Sequence, residues 1–243
     1  MSARARMAVF ALGATAMAVL LIVAALRIPS FGTDIHPYRD ATVALGQRQH
    51  TPNVVSSINF DQRGLDTLGE EAILVAAVVG AATLLRGPVR PAKARRSARV
   101  LAATRMMGYL LLPVTIMIGA DVVVHGHLTP GGGFQGGVVL ATGLHLLYVA
   151  GDYDALRRIR PLAWYEFGEA SGLGAVVALG AAGTVTGAGF LANTVPLGRT
   201  GQLVSAGTVP LFSTAVGVAV GSGVVVLLAQ FLDQYVSSEK GSP

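Results

Sequence analysis

Long apolar runs, separated by shorter polar segments, dominate the pattern along this chain. A helix that crosses the hydrocarbon core of a bilayer needs about 20 apolar residues. The runs fall at about residues 7–26, 72–85, 106–124, 134–149, 165–190 and 208–233. This pattern predicts an all-α membrane protein with about six transmembrane helices.

The polar segments refine this helix map. Residues 27–50 contain Pro and Gly without a clear period, which predicts an extramembrane loop. A single helix over residues 53–85 would be about 50 Å long, which exceeds the roughly 30 Å hydrocarbon core. We therefore predict a break near Arg63 and Gly64, with an interfacial helix before it and a spanning helix after it.

Composition supports a membrane protein and excludes several kinds of chemistry. Hydrophobic residues make up 52% of the chain and charged residues only 13%, against about 25% charged residues in a typical soluble domain. The 243 residues include no cysteine. Disulfides, thiolate catalysis, cysteine-ligated zinc and iron–sulfur clusters are therefore excluded. No cofactor site is evident.

The basic residues are distributed unevenly, and their distribution predicts the topology. Residues 86–105 hold seven Lys or Arg and no acid. With the N-terminus in the cytoplasm, 13 of the 18 Lys and Arg residues lie on the inside, as the positive-inside rule requires. We expect both termini to be cytoplasmic and attribute the pI near 10 to topology, not to nucleic-acid binding.

A glycine-rich break separates the third and fourth predicted helices and lies on the predicted outer side. Non-helical backbone at membrane depth persists only where protein or water satisfies its polar groups, and transporters place ion sites at such breaks. The break and the start of the next helix read His125-Gly126-His127-Leu128-Thr129-Pro130-Gly131-Gly132-Gly133-Phe134-Gln135-Gly136-Gly137.

Ionisable residues at membrane depth are costly, so each is a candidate for an ion pathway. The candidates are Asp66, Glu70, Glu71, Asp121, His125, His127 and His145. Asp121 and His125 are four residues apart and form either a proton relay or a solvated helix end. Thr67 and Glu70 match a capping box, which is an alternative to a role for Glu70 in ion transport. His127 either caps the break or carries protons, and His145 either packs by a hydrogen bond or carries protons.

The remaining motifs do not indicate a binding or catalytic site. Glu166 and Glu169 begin the fifth predicted helix, where acids favour the helix dipole. Gly131, Gly133 and Gly136 match a dinucleotide fingerprint formally, but that motif requires a βαβ unit. His125 and His127 have no third ligand at a recognised spacing, so no metal site is predicted. No nucleophile–base constellation indicates an enzyme.

The His125–Gly137 motif closely resembles the hallmark of the B subunit of multisubunit Na⁺/H⁺ antiporters of the Mrp (or Mnh) type, and the likeness extends over about residues 98–236. Residues 1–90 look like the C-terminal part of the antiporter A subunit, and like the E subunit of membrane-bound hydrogenases. Pro52-Asn53-Val54-Val55 and Asp61-Gln62-Arg63-Gly64-Leu65-Asp66-Thr67-Leu68-Gly69-Glu70 carry this second resemblance. It implies that Glu70 lies on an ion path. Glu71 departs from the family, where the corresponding residue is often apolar.

These resemblances imply a fusion of two modules, residues 1–90 and 106–243, joined by a basic linker at 91–105. They imply a subunit of a Na⁺/H⁺ antiporter in a bacterial or archaeal cell membrane, with other antiporter or complex I-like subunits as partners. One alternative is the ion-translocating arm of a redox complex, and another is a structural scaffold. The cation, the stoichiometry and the direction of coupling stay open.

Overall fold

A computed structural model of the chain describes residues 2–28, 32, 34–85, 100–150 and 162–238. This part of the chain is helical and without strands, which confirms the predicted fold class. The helices are α1 (Ala3–Leu26), α2 (Pro37–Arg48), α3 (Val54–Ser57), a π-helical turn (Ile58–Gln62), α4 (Gly64–Leu85), α5 (Ala102–Val124), α6 (Gly133–Val149), α7 (Leu162–Val185) and α8 (Val209–Ser238).

The described chain forms two compact units, Met1–Asp40 and Ala41–Pro243. In the first unit, α1 has no buried residue and a length and composition suited to a bilayer. In the second unit, α4, α5, α7 and the Val209–Phe231 part of α8 also meet that criterion. Helix α6 is apolar but has only 17 residues, as expected for a short helix after a break.

The predicted loop at residues 27–50 is wrong over its second half, which forms α2. Pro37 stands at the first helical position, where its missing N–H costs nothing, and Asp40 lies in the first turn. Arg48 closes the last turn, where a cation favours the helix dipole. The helix has little apolar periodicity, so the hydrophobic pattern alone did not reveal it.

The predicted break near Arg63 is confirmed. Arg63 leaves helical geometry, with φ −134° and ψ 35°, between the π-helical turn and α4. Before it, the Asn53 side chain accepts a hydrogen bond from the Val55 amide and caps α3. The Gln62 side chain donates to the Ser57 hydroxyl and to the Thr42 carbonyl, both at 3.0 Å. The break is therefore held by side-chain hydrogen bonds within the second unit.

The remaining helix boundaries differ modestly from the predicted ones. Helix α5 begins four residues earlier than predicted, and α7 begins three residues earlier. Helix α7 ends at Val185, and not at Phe190, because Gly187 and Gly189 adopt positive φ values of 79° and 102°. Most of the basic linker (residues 86–99) and the loop at residues 151–161 lie outside the described residues.

Helix α8 is the centre of the second unit and packs against α4, α5, α6 and α7. Its apolar face supplies most of the core, with Phe60 of the π-helical turn and Val176 of α7 packed on it. The Phe60 and Phe212 rings lie 5.2 Å apart between centroids and tilted. This aromatic pair fixes the π-helical turn, and so the start of α4, against α8.

Glycines allow α6 to approach both neighbouring helices at backbone distance. A Cβ atom on Gly137 would lie 2.8 Å from the Gly217 carbonyl oxygen and 2.9 Å from the Gly221 nitrogen, both on α8. One on Gly136 would lie 2.8 Å from the Gly119 carbonyl oxygen on α5. In lipid, where apolar burial drives helix association weakly, such close packing is a main source of cohesion.

We expect the Gly137→Ala substitution to destabilise the protein by about 1–3 kcal/mol, because the added methyl group meets the backbone of α8. Gly174→Ala on α7 is the matched control, since a Cβ there meets nothing within 4 Å. The measurement is the fraction of monodisperse protein left after heating solubilised membranes. Equal midpoints for both variants would contradict the close packing.

Candidate functional site

Glu71 is the most deeply buried carboxylate in the described chain, with 1% of its surface exposed. It lies on the face of α4 that carries Thr67 and Val78, which are also buried. Neither carboxylate oxygen has a hydrogen-bond partner, and no basic side chain pairs with it among the described ion pairs. A buried carboxylate without a cationic partner must either bind a proton or bind a cation.

A cavity of about 500 Å³ adjoins Glu71. Polar side chains line it on three elements, together with apolar residues of α4 and α8. The polar lining residues are Asn59, Thr67, Glu70, Glu71 and Gln135. Asn59 belongs to the π-helical turn, and its carbonyl accepts a 2.8 Å hydrogen bond from the Thr67 hydroxyl. The cavity therefore joins α4 to the glycine-rich motif through Gln135, which has an exposed position on the first turn of α6.

The glycine-rich motif presents different residues to different neighbours. Gly133 and Gly137 face α8, and Gly136 faces α5. Phe134 and Gln135 lie between these faces and line the cavity. Gly132 has φ +146°, a conformation that side chains rarely adopt, and it directs the chain into α6. The glycines thus serve close packing and a sharp turn, whereas Gln135 is the polar side chain of the motif that lines the cavity.

Residues of the segment before α4 donate hydrogen bonds to the backbone carbonyl groups of the glycine-rich break. The Asn53 side chain donates to the carbonyl oxygens of Gly126 at 2.6 Å and Thr129 at 2.8 Å. The Asn53 amide donates to the His127 carbonyl at 3.1 Å, and the Ser56 hydroxyl donates to that of Gly126. Residues 125–130 therefore need no water to satisfy three of their carbonyl groups.

Sequence reasoning did not single out Asn53 and Ser56 as functional residues. Asn53 has the signature of a helix cap, which explains only its bond to the Val55 amide. Its two bonds to the break span more than 70 residues of sequence, so no local pattern indicates them. The hydrogen-bond donors for backbone carbonyls outside a helix are determined by tertiary contacts.

The other predicted acids of α4 have exposed positions. Asp66 forms an exposed ion pair with Arg63. Glu70 is exposed and lines the rim of the cavity, next to buried Glu71. The cavity thus brings Glu70 and Glu71 together, while Asp66 does not line it.

The residues at the end of α5 divide into two sites. His125 Nδ1 lies 2.8 Å from Asp121 Oδ1, and both side chains are substantially exposed. His127 is fully buried, and neither ring nitrogen has a hydrogen bond of good geometry. Burial lowers the pKa of His127, and the nearby carbonyls of Gln202 and Leu203 oppose that shift only in part. His127 is therefore neutral at pH 7. None of the three lines the cavity at Glu71.

His145 lies on α6 at half-buried depth, and its Nε2 atom has no hydrogen-bond partner within the described residues. Asp61, which sequence reasoning did not consider, precedes α4. Burial raises the pKa of its carboxyl group, and a hydrogen bond with Asn193 partly offsets the shift. Within the described ranges, no cluster of three His, Asp or Glu side chains has the arrangement of a metal site.

We expect Asn53→Asp to loosen the break, because the variant keeps an oxygen to cap α3 but loses both N–H donors to Gly126 and Thr129. Ser56 still donates to the Gly126 carbonyl, so the loss falls mainly on Thr129, and the new carboxylate oxygen repels both carbonyl oxygens. Hydrogen exchange of residues 125–133, measured by mass spectrometry, should become faster. Thr115→Val removes a hydroxyl that bonds only its own helix and should leave this exchange unchanged.

Together these features define a multi-pass membrane protein, helical over the described residues, with a partly open cavity that adjoins a buried carboxylate beside a broken helix. A family model described as "Domain related to MnhB subunit of Na+/H+ antiporter" matches residues 103–226, about half of the chain. The chain belongs to this family. The match covers α5 to α7 and most of α8, and so includes the whole glycine-rich break.

Relatives extend beyond that domain. The uncharacterized protein MJ1307 of Methanocaldococcus jannaschii is 29% identical over 199 residues, 71% of this chain and 74% of its own length. The probable K⁺/H⁺ antiporter A/B subunit of Rhizobium meliloti is 34% identical over 144 residues. That match covers 48% of this chain but only 14% of the much longer relative.

Two solved membrane complexes contain chains with a similar fold. One chain of an archaeal membrane-bound sulfane sulfur reductase matches with a TM-score of 0.74 and 28% identity, covering 93% of this chain and 98% of that chain. A chain of the Mrp complex from Dietzia sp. DQ12-45-1b matches with a TM-score of 0.68 and 26% identity. There the match covers 95% of this chain and 26% of the other.

Proposed function

We propose that this chain is a membrane subunit of a multisubunit monovalent cation/proton antiporter, and that Glu71 binds the transported ion. The observation that carries the proposal is the full burial of an unpartnered carboxylate beside a cavity of about 500 Å³. An ionised group at membrane depth costs several kcal/mol, which a purely structural position avoids by using an apolar residue.

The cavity offers the ligands that a hard monovalent cation prefers. Asn59, Thr67 and Gln135 bring amide and hydroxyl oxygens to the Glu71 carboxylate. A carboxylate that binds either a proton or a cation, but not both, couples the two ions by competition. Antiport requires this exchange at one site, and a broken helix beside it supplies further backbone oxygens.

Glu71 is favoured over its neighbour Glu70 as the ion-binding residue. The family resemblance implies Glu70, which here is exposed at the rim of the cavity. Helical geometry turns the next residue by about 100°, so that Glu71 faces α8. In our proposal Glu70 attracts ions to the cavity and Glu71 binds them.

The proposal includes the wider assembly. Both solved neighbours are multisubunit membrane complexes, which supports other membrane subunits as partners. We propose that residues 1–90 act as the module resembling the antiporter A subunit, and that both termini face the cytoplasm of a bacterial or archaeal cell. Transported Na⁺ or K⁺ would then reach Glu71 from the outer side, near the break.

A second function is supported by one specific observation. The sulfane sulfur reductase chain matches this one over 98% of its own length, whereas the Mrp chain is about four times longer than the matched part. This chain would then be the ion-translocating arm of a redox complex, with the electron chemistry in other subunits. The Glu71 site would serve the same exchange in either complex. A purely structural scaffold is the third candidate and is supported by the glycine packing of α6.

We expect Glu71→Gln to abolish cation-driven proton movement, because glutamine keeps the shape of the side chain but binds no proton. The measurement is the collapse of a pH gradient on addition of Na⁺ or K⁺, in inverted vesicles that contain the whole complex. Asp66→Asn, which removes an exposed carboxylate of α4 that does not line the cavity, is the matched control and should retain most of the activity. Full activity of Glu71→Gln in an intact complex would favour the scaffold.

We expect the tagged chain, purified gently from native membranes, to carry long antiporter-like subunits in near-stoichiometric amounts. Mass spectrometry identifies the partners. Iron–sulfur or hydrogenase-like partners would instead place the chain in a redox complex. A lone chain would contradict both assemblies.

A further inference from the structure

A second cavity, of about 270 Å³, lies between α4, α7 and α8. Its lining is mainly apolar and includes the second buried carboxylate of the described chain, Glu169 on α7. The proposed exchange at Glu71 makes no use of this cavity.

Glu169 packs against Gly223 of α8, which has no side chain to occupy the space of the carboxyl group. It is 5% exposed, and its Oε1 atom has no hydrogen-bond partner. A Cβ atom on Gly223 of α8 would lie only 2.9 Å from that same oxygen and 3.5 Å from Val78 Cγ2. The glycine therefore leaves room for the carboxyl group against α8, beside Val78 of α4.

Glu169 lies beside Val78, and so it adjoins the same buried face of α4 that carries Glu71. Glu71 and Val78 share the buried face of α4 and are seven residues apart, about 10 Å along the helix axis. Glu169 is close enough to act on Glu71 electrostatically. The second cavity reaches Val75, which is one helical turn from Glu71, and its volume of about 270 Å³ has room for several waters at about 30 Å³ each.

The two cavities differ in the oxygens they offer. Only Thr83 and Glu166 accompany Glu169 as polar residues in the second cavity, and the Thr83 hydroxyl donates to the Val79 carbonyl of its own helix. Glu166 is exposed. The other six lining residues are Val or Ala. A cation stripped of water finds too few ligands here, whereas a proton needs only one carboxylate and a chain of waters.

We propose that Glu169 is a proton-only site, which exchanges protons with Glu71 through water in the second cavity. This inference rests on the proposed ion exchange at Glu71. In each step an O–H bond breaks at one carboxyl group and forms at the other, by way of water, and no electron moves. Among the described residues, the charged groups near this route are Glu70 and Glu71 from α4 and Glu166 from α7, and the residue of α8 that lines the cavity is Val226.

Carbodiimide labelling tests the two sites separately. Dicyclohexylcarbodiimide enters membranes and adds to protonated carboxyl groups, and peptide mass spectrometry locates each adduct. In membranes that contain the whole complex, we expect both Glu71 and Glu169 to be labelled. An excess of the transported cation, Na⁺ or K⁺, should protect Glu71, because the cation displaces its proton, but should not protect Glu169.

The possible outcomes separate this inference from the proposed function. Protection of both residues would make Glu169 a cation site and overturn the proton-only role. Labelling of Glu71 alone would remove Glu169 from the route while leaving the exchange at Glu71 intact. Labelling of Glu71 that no cation affects would contradict the proposed function itself.

A variant supplies the functional readout. We expect Glu169→Gln to lower the maximal rate of exchange severalfold without changing the cation concentration for half-maximal rate, since cation binding at Glu71 is untouched. Asp66→Asn, which removes an exposed carboxylate paired with Arg63, is the control. An unchanged rate in Glu169→Gln, or a shift in cation affinity alone, would overturn the inference.

Discussion

The need to satisfy bare backbone where α5 ends is the constraint on which the rest of the structure depends. The carbonyls of residues 126–129 lie outside a regular helix, and each one that is shielded from water is costly unless it has a hydrogen-bond partner. Asn53 and Ser56 satisfy three of these carbonyls. Those bonds tie the segment before α4 to the break, and thereby bring the acids of α4 to the first turn of α6. The cavity at Glu71 is a consequence of this attachment.

The position of α6 also depends on close packing at its glycines. Helix α6 is short and approaches α5 and α8 at backbone distance on two of its faces, which leaves the third face, with Phe134 and Gln135, for the cavity. A longer side chain at Gly136 or Gly137 would push α6 outward and displace Gln135 from Glu71. The glycines of the motif therefore determine the position of α6, and in our proposal Gln135 contributes an oxygen to the site that they position.

Glu71 and Glu169 are the two buried carboxylates of the described residues, and no ion pair described there includes either of them. The two cavities differ in the number of oxygen-bearing side chains. A site that exchanges a cation for a proton needs several such oxygens, whereas a site that binds only a proton needs one carboxylate. Oxygen-bearing side chains line the cavity at Glu71, whereas valine and alanine dominate the cavity at Glu169. In our proposals the same chemical group has two roles, which differ because its neighbours supply different ligands.

The sequence by itself determined the helical class, the break at Arg63, the short helix after the glycine-rich motif and the resemblance to the antiporter B subunit, because length, hydropathy and an unusual motif are local properties. It missed α2, whose residues lack apolar periodicity. It treated Glu70 as the principal acid and Glu169 as a helix-dipole residue, since burial is invisible in a single sequence. Only the tertiary structure decided that Glu71 faces α8, that Asn53 satisfies the break and that Gly223 makes room for Glu169. Each of these depends on contacts between residues far apart in sequence, which no local pattern encodes.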